Sequence, residues 1–162
     1  MNRAVTWGLL ASWVVHDVEE VATIGSYAAA YERRCGRPFA VQPDQMALAV
    51  TSIGAVVSVA AARGAASGGR STMFRQVLLA HAAHSVWHVA ASAVTRSYTP
   101  GVVTAVAVVA PHGWWALARL RQNRTWTAAD QLVQLRTAVP GAALAVVSAQ
   151  LLARRAVRPR TA

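Results

Sequence analysis

Lysine is absent from this sequence of 162 residues, and cysteine occurs once. Acidic residues number six, against sixteen basic residues that are all arginine. Charged residues make up 14% of the chain, where a soluble domain carries about 25%. Each shortage excludes something. The lone Cys35, in the polar stretch ERRCGRPF, leaves no internal disulfide and no cysteine-based zinc module. The scarcity of charge, beside a hydrophobic fraction of 55%, argues against a soluble domain. A net charge of +10 would suggest nucleic acid in a soluble protein. Here the arginines stand mostly between apolar runs and in the tail ARRAVRPRTA, where they anchor helix ends and meet anionic headgroups. No nucleic-acid partner is expected. Arginine without lysine fits a GC-rich bacterial genome, and a bacterial inner (plasma) membrane is the expected location.

Long apolar sequence is what the chain has in quantity. Five segments, each able to cross about 30 Å of hydrocarbon at 1.5 Å per residue, cover approximately 4–31, 44–62, 72–95, 100–120 and 129–153. Between them stand ERRCGRPF, RGAASGGRS, RSYTPG and RLRQNRTWT, whose Gly, Pro and Arg residues end helices. Small residues within the segments suit close helix contact in lipid. A compact soluble all-α protein also buries apolar helices, but five in this length leave too little polar surface to solvate the molecule. The expected fold is all-α: a multi-spanning transmembrane helical bundle of about five helices, one domain over residues 1–162. A signal peptide competes for the first segment. Acids stand where its cleavage region should be, however, and the apolar run resumes beyond them, so the segment is read as a retained span. The flanking arginines divide almost evenly between the two sides, so the positive-inside rule assigns no orientation.

The first segment breaks its own pattern at WVVHDVEEVATIG, with His16, Asp17, Glu19 and Glu20 at its centre. Three acids at 2.5–3.5 kcal/mol each cost on the order of 8–10 kcal/mol in a membrane helix, and each neighbouring Leu, Val or Ile returns only about 0.3–0.6. Protonation, an imidazolium or a cation must compensate. All five histidines, His16, His81, His84, His88 and His112, also lie inside segments, near the middle of the first, third and fourth. Depth does not depend on helix direction, so antiparallel helices are expected to bring them level. At about 100° per residue, His81, His84 and His88 fall within about 60° of one another, and His16 and Glu20 lie about 40° apart with Glu19 on the other flank. Asp17 points about 100° from His16 and is expected as an outer hydrogen-bond partner. His112 follows Pro111, which lacks an N–H and kinks a helix; packing beside Trp114 and Trp115 is its plainer role. Trp7 and Trp126 are expected as interfacial anchors. Trp87, Trp114 and Trp115 are read as packing residues near the site.

The candidate metal ligands are therefore His16, Glu19, Glu20, His81, His84, His88 and His112. Seven exceed the four of tetrahedral zinc and suit two divalent ions bridged by a carboxylate. Iron or zinc is expected, and the sulfur-free donor set also admits manganese and nickel. Glu19 and Glu20 are the catalytic candidates, one ligating or bridging and the other a general base toward metal-bound water. The expected function is a metal-dependent enzyme acting on a hydrophobic small molecule from the lipid, a hydroxylase or desaturase with iron or a hydrolase with zinc. Two alternatives stand beside it. A divalent cation or proton transporter predicts polar groups strung from face to face rather than gathered at one depth. A metal-free isomerase or cyclase would use Glu19 or Glu20 as its acid.

The order His16-Asp17-Val18-Glu19-Glu20 in the first span, with HAAHSVWH and APH on later ones, resembles the HXXEE family of small bacterial integral membrane proteins. The resemblance covers essentially the whole chain in size, number of spans and order of motifs. It implies a multi-spanning helical protein with a suspected metal site, and it carries no reaction with it.

Overall fold

The computed structural model describes residues 3–124 and 126–157. Five long helices account for most of them: α1 Arg3–Cys35, α2 Pro43–Ala66, α3 Thr72–Thr95, α4 Val102–Gln122 and α5 Ala128–Ala156. No strand occurs among the described residues. The third helix has the bounds expected from the sequence. The first runs on through the exposed Glu32–Cys35 turn, where Arg33 and Arg34 meet the negative end of the helix dipole. Gly36, at φ 66°, ends it.

Helices α2, α3, α4 and α5 are long and apolar enough to cross a membrane. α1 is longer than any of these, and it manages its acids by rotation. His16, Asp17 and Glu20 are buried, while Val14, Val15 and Val18 are exposed. Trp87, Trp114, Val94, Leu132 and Leu144 are likewise turned outward. An exterior this apolar fits hydrocarbon and not water. The fold is that of a helical membrane protein.

α3 lies centrally, packed on α2, α4 and α5, and α1 packs on α2 and α4. Two glycines of α2 make this close contact possible. A Cβ on Gly54 would stand 2.6 Å from Trp13 of α1, and one on Gly64 2.5 Å from the Phe74 ring of α3. Phe74 is fully buried with Leu9, Leu78 and Leu120. Phe74→Ala is therefore expected to cost about 3–5 kcal/mol, read as a lower thermal midpoint in detergent; an unchanged midpoint would contradict this packing. Trp126, expected at the lipid interface, is instead 1% exposed in the same core, with the Arg75 guanidinium 5.2 Å from its ring centroid. Trp7 is partly exposed.

The kink expected at Pro111 takes the form of a π-turn over Ala105–Val109. A proline ring clashes with the carbonyl four residues back, and a wider turn relieves it. The extra residue also reorients α4. Thr104 and His112 would lie about 80° apart on a regular helix, yet both reach α1, at His16 and Ser12 respectively.

Candidate metal centre

The seam between α1, α3 and α4 gathers the titratable side chains. His16 and Glu20 come from adjacent turns of α1, and His84 and His88 from adjacent turns of α3. One ligand atom from each lies within 4.8 Å of all the others. His88 Nε2 is 2.8 Å from His84 Nε2 and 3.2 Å from Glu20 Oε1. His16 Nε2 is 3.9 Å from the same carboxylate oxygen. The His16 ring centroid is 4.7 Å from that of His88 and 5.5 Å from that of His84. Three members are buried, and His84 is half-buried.

Hydrogen bonds set the tautomer of His16. Thr104 Oγ1 donates its single proton to Glu19 Oε2 at 2.6 Å. It therefore accepts from His16 Nδ1–H at 3.0 Å, which leaves the lone pair on Nε2. That atom is buried and has no hydrogen-bond partner. The carbonyls of Gly101 and Pro100 face the imidazoles of His16 and His88.

Glu19 stands outside the four-residue group. Its Oε1 accepts from the Tyr98 hydroxyl at 2.7 Å and from Val103 N–H at 3.3 Å. Its Oε2 accepts from Thr104 N–H at 2.7 Å in addition to the Thr104 hydroxyl. α3 is capped by its own Ser71 and α5 by its own Thr127. α4 begins at Gly101, which has no side chain, and the carboxylate of α1 caps it from across the bundle. Partial burial and the Glu19 bond hold the Tyr98 phenol above its ordinary pKa, so it stays a donor.

Gly101, with φ 84°, lies directly against the group. A Cβ there would stand 2.7 Å from His16 Cε1, 2.9 Å from His88 Cε1 and 3.0 Å from Glu20 Cγ. The connector between α3 and α4 thus forms one wall of the site. The Ser92 and Thr99 hydroxyls, 2.6 Å apart, pin its other end to α3.

His81 and His112 form a separate station around Ser12. The Ser12 hydroxyl is 3.3 Å from His81 Nε2 and 3.4 Å from His112 Nδ1. Gly8 leaves room for the His112 ring, whose Nε2 would collide with any Cβ there. The His81 and His16 ring centroids are 6.0 Å apart. The histidines expected level with one another are staggered. Polar groups follow α1 from Thr23 through His16 to Ser12, which is about 16 Å at 1.5 Å per residue. Asp17 is buried and makes no hydrogen bond among the described residues; the outer partner of His16 is Thr104, backed by Glu19. Trp87 and Trp114 point away from the site, and Trp115 lies 6.0 Å from His112.

Of seven expected ligands, the structure brings four together and leaves Glu19, His81 and His112 apart. Thr104, Ser12, Tyr98 and Gly101 went unread in the sequence. The hydroxyls carried no usable signal, because Thr51, Ser52 and Ser58 look the same and simply bond their own helix. Gly101 follows Pro100 and reads as an ordinary turn.

These features define a class: a multi-helix membrane protein with a buried histidine–glutamate group between its spans. The family model described as "Protein of unknown function with HXXEE motif" matches residues 7–116, and the chain belongs to this HXXEE family. All four clustered residues, Glu19, Gly101, Thr104 and His112 lie within the matched region, and α5 lies beyond it. No curated protein and no solved structure matches the chain.

Proposed function

We propose that His16, Glu20, His84 and His88 hold one divalent metal ion, iron or zinc, in a bacterial inner membrane. On this reading the protein is a metal-dependent enzyme for a hydrophobic small molecule that arrives from the lipid. The observation that carries the reading is His16 Nε2, a buried lone pair without a partner, aimed among three further donors. Three imidazole nitrogens and one carboxylate oxygen form a donor set that suits iron and zinc. A cation also offsets the Glu20 charge, whose burial in α1 otherwise costs on the order of 2.5–3.5 kcal/mol. Seven candidates suggested two ions. The four that meet suit one, since Glu19 is committed to α4 and His81 and His112 to Ser12.

A bound ion would supply Lewis-acid or redox chemistry at this depth. The chain supplies the rest. Thr104 and the Gly101 and Pro100 carbonyls orient the imidazoles, and the α3–α4 connector covers one side of the group. His84, the member with exposed surface, marks the edge at which a further ligand or substrate reaches it. With Glu19 acting as a cap, the Glu20 oxygen not given to the ion is the carboxylate atom within the group left to accept a proton.

The staggered seam favours a second reading, passage of a divalent cation or protons, because a path needs polar groups at successive depths. Elemental analysis of detergent-purified protein tests the first claim. About one equivalent of iron or zinc is expected, and protein without metal after growth in supplemented medium would overturn it. Zinc or iron flux into proteoliposomes separates transport from enzymatic chemistry. Turnover that survives chelation would point to a metal-free isomerase or cyclase.

A further inference from the structure

We infer that Glu19 is a positioning residue and not a metal ligand: it presents His16 to the ion through Thr104 and latches the α3–α4 connector over the site. The inference rests on the metal reading above and concerns how that same site is loaded. A carboxylate has about four lone-pair sites. Four hydrogen bonds occupy those of Glu19, from the Tyr98 hydroxyl, Val103 N–H, Thr104 N–H and the Thr104 hydroxyl, at 2.7, 3.3, 2.7 and 2.6 Å. Nothing remains to offer an ion. The same carboxylate is the far end of a chain, imidazole to hydroxyl to carboxylate, that keeps the His16 lone pair on Nε2. Such outer partners fix the orientation and basicity of a ligand.

The latch follows from the other two bonds and from Gly101. Glu19 ties Tyr98 before the connector's glycine and Val103 after it, so Gly101 is held down between them. At that place the glycine touches His16, His88 and Glu20. An ion arriving from the membrane face on which the connector lies must pass this segment, and it passes only when the Glu19 bonds release. The adjacent glutamates of the motif thus divide the work: Glu20 holds the ion, and Glu19 holds the door and one of the ligands.

The test uses full-length protein in detergent loaded with Zn(II). Affinity is measured by competition, and the release rate by transfer to a chromophoric chelator. Thr104→Val keeps the side-chain shape but breaks the chain to His16; affinity should fall about 10–100-fold, and Thr104→Ser should restore it. Tyr98→Phe removes one latch bond without touching His16; affinity should stay near wild type while release quickens several-fold. Glu19→Gln should still bind zinc, more weakly and with faster release. Wild-type affinity and release in both Thr104→Val and Tyr98→Phe would overturn the inference. So would complete loss of zinc in Glu19→Gln beside unaltered Thr104→Val, since that is the pattern of a ligand. Wild-type protein that takes no zinc defeats the metal reading itself, a result distinct from either of these.

Discussion

Glu20→Gln is expected to abolish stoichiometric metal binding while making the metal-free protein more stable. On the proposed reading the two effects have opposite signs, because the carboxylate serves chiefly to hold the ion. Outer partners of a metal site are worth 10–100-fold in affinity, so a ligand should be worth at least on the order of 100-fold. Without the ion, the same carboxylate is a buried charge on a membrane helix, and a neutral amide of equal size removes that burden. His84→Ala, on α3, should lose metal as completely. Loss in both variants would mean that α1 and α3 serve one centre. His112→Ala is the contrast: its ring lies beside Ser12 and Gly8, outside the clustered four, so metal content should persist. Metal lost in His112→Ala and kept in His84→Ala would refute the assignment. Elemental analysis and thermal unfolding of each variant, with and without chelator, read all of these outcomes.

Gly101→Ala should be nearly as damaging, although alanine carries no charge and adds one carbon. Two costs combine. The φ of 84° is a conformation that alanine adopts at about 1–2 kcal/mol. The added Cβ would also stand 2.7–3.0 Å from His16, His88 and Glu20 at once. Two imidazoles and a carboxylate in mutual contact have no free direction in which to yield, so the connector must lift or the ligands must part. Either way metal affinity falls by an amount comparable to ligand loss. Gly68→Ala isolates the first cost, because Gly68 also has positive φ, at 61°, with nothing within 4 Å of its added Cβ. That variant should be slightly less stable and bind metal normally. Equal metal binding in the two variants would show that Gly101 does not seat the site.

Much of this architecture was legible residue by residue. Five apolar runs became five helices, and the third kept its bounds, because helix length in lipid follows from hydrocarbon thickness and from where Gly, Pro and Arg interrupt the run. The His16–Glu20 face of α1 also came through, since two residues four apart on one helix share a face whatever surrounds it. The same logic misled at His81. Its angular agreement with His84 and His88 is real, but His81 and His88 are about 10 Å apart along the axis at 1.5 Å per residue. A shared face is not a shared depth. His81 meets Ser12 and His112 instead.

Glu19 and Asp17 mark a different boundary. Their directions around α1 were sound, yet direction does not tell which neighbour arrives there. Glu19 became a cap because Gly101 leaves the start of α4 without a side-chain cap, and because the π-turn before Pro111 helps turn Thr104 toward α1. Trp126 went to the core and not to the lipid interface, into the same buried cluster as Phe74 and beneath the Arg75 guanidinium.

The chain's composition and spacing thus settled that it is helical, that it belongs in a membrane, and that α1 must hide its acids among histidines. Which of those groups meet, and which glutamate joins the histidines while its neighbour caps α4, was left to how α3 and α4 pack on α1. Periodicity relates residues along one helix axis. Axial offset, the π-turn and the placement of the connector relate one helix to another, and these arise only once all the spans have packed together.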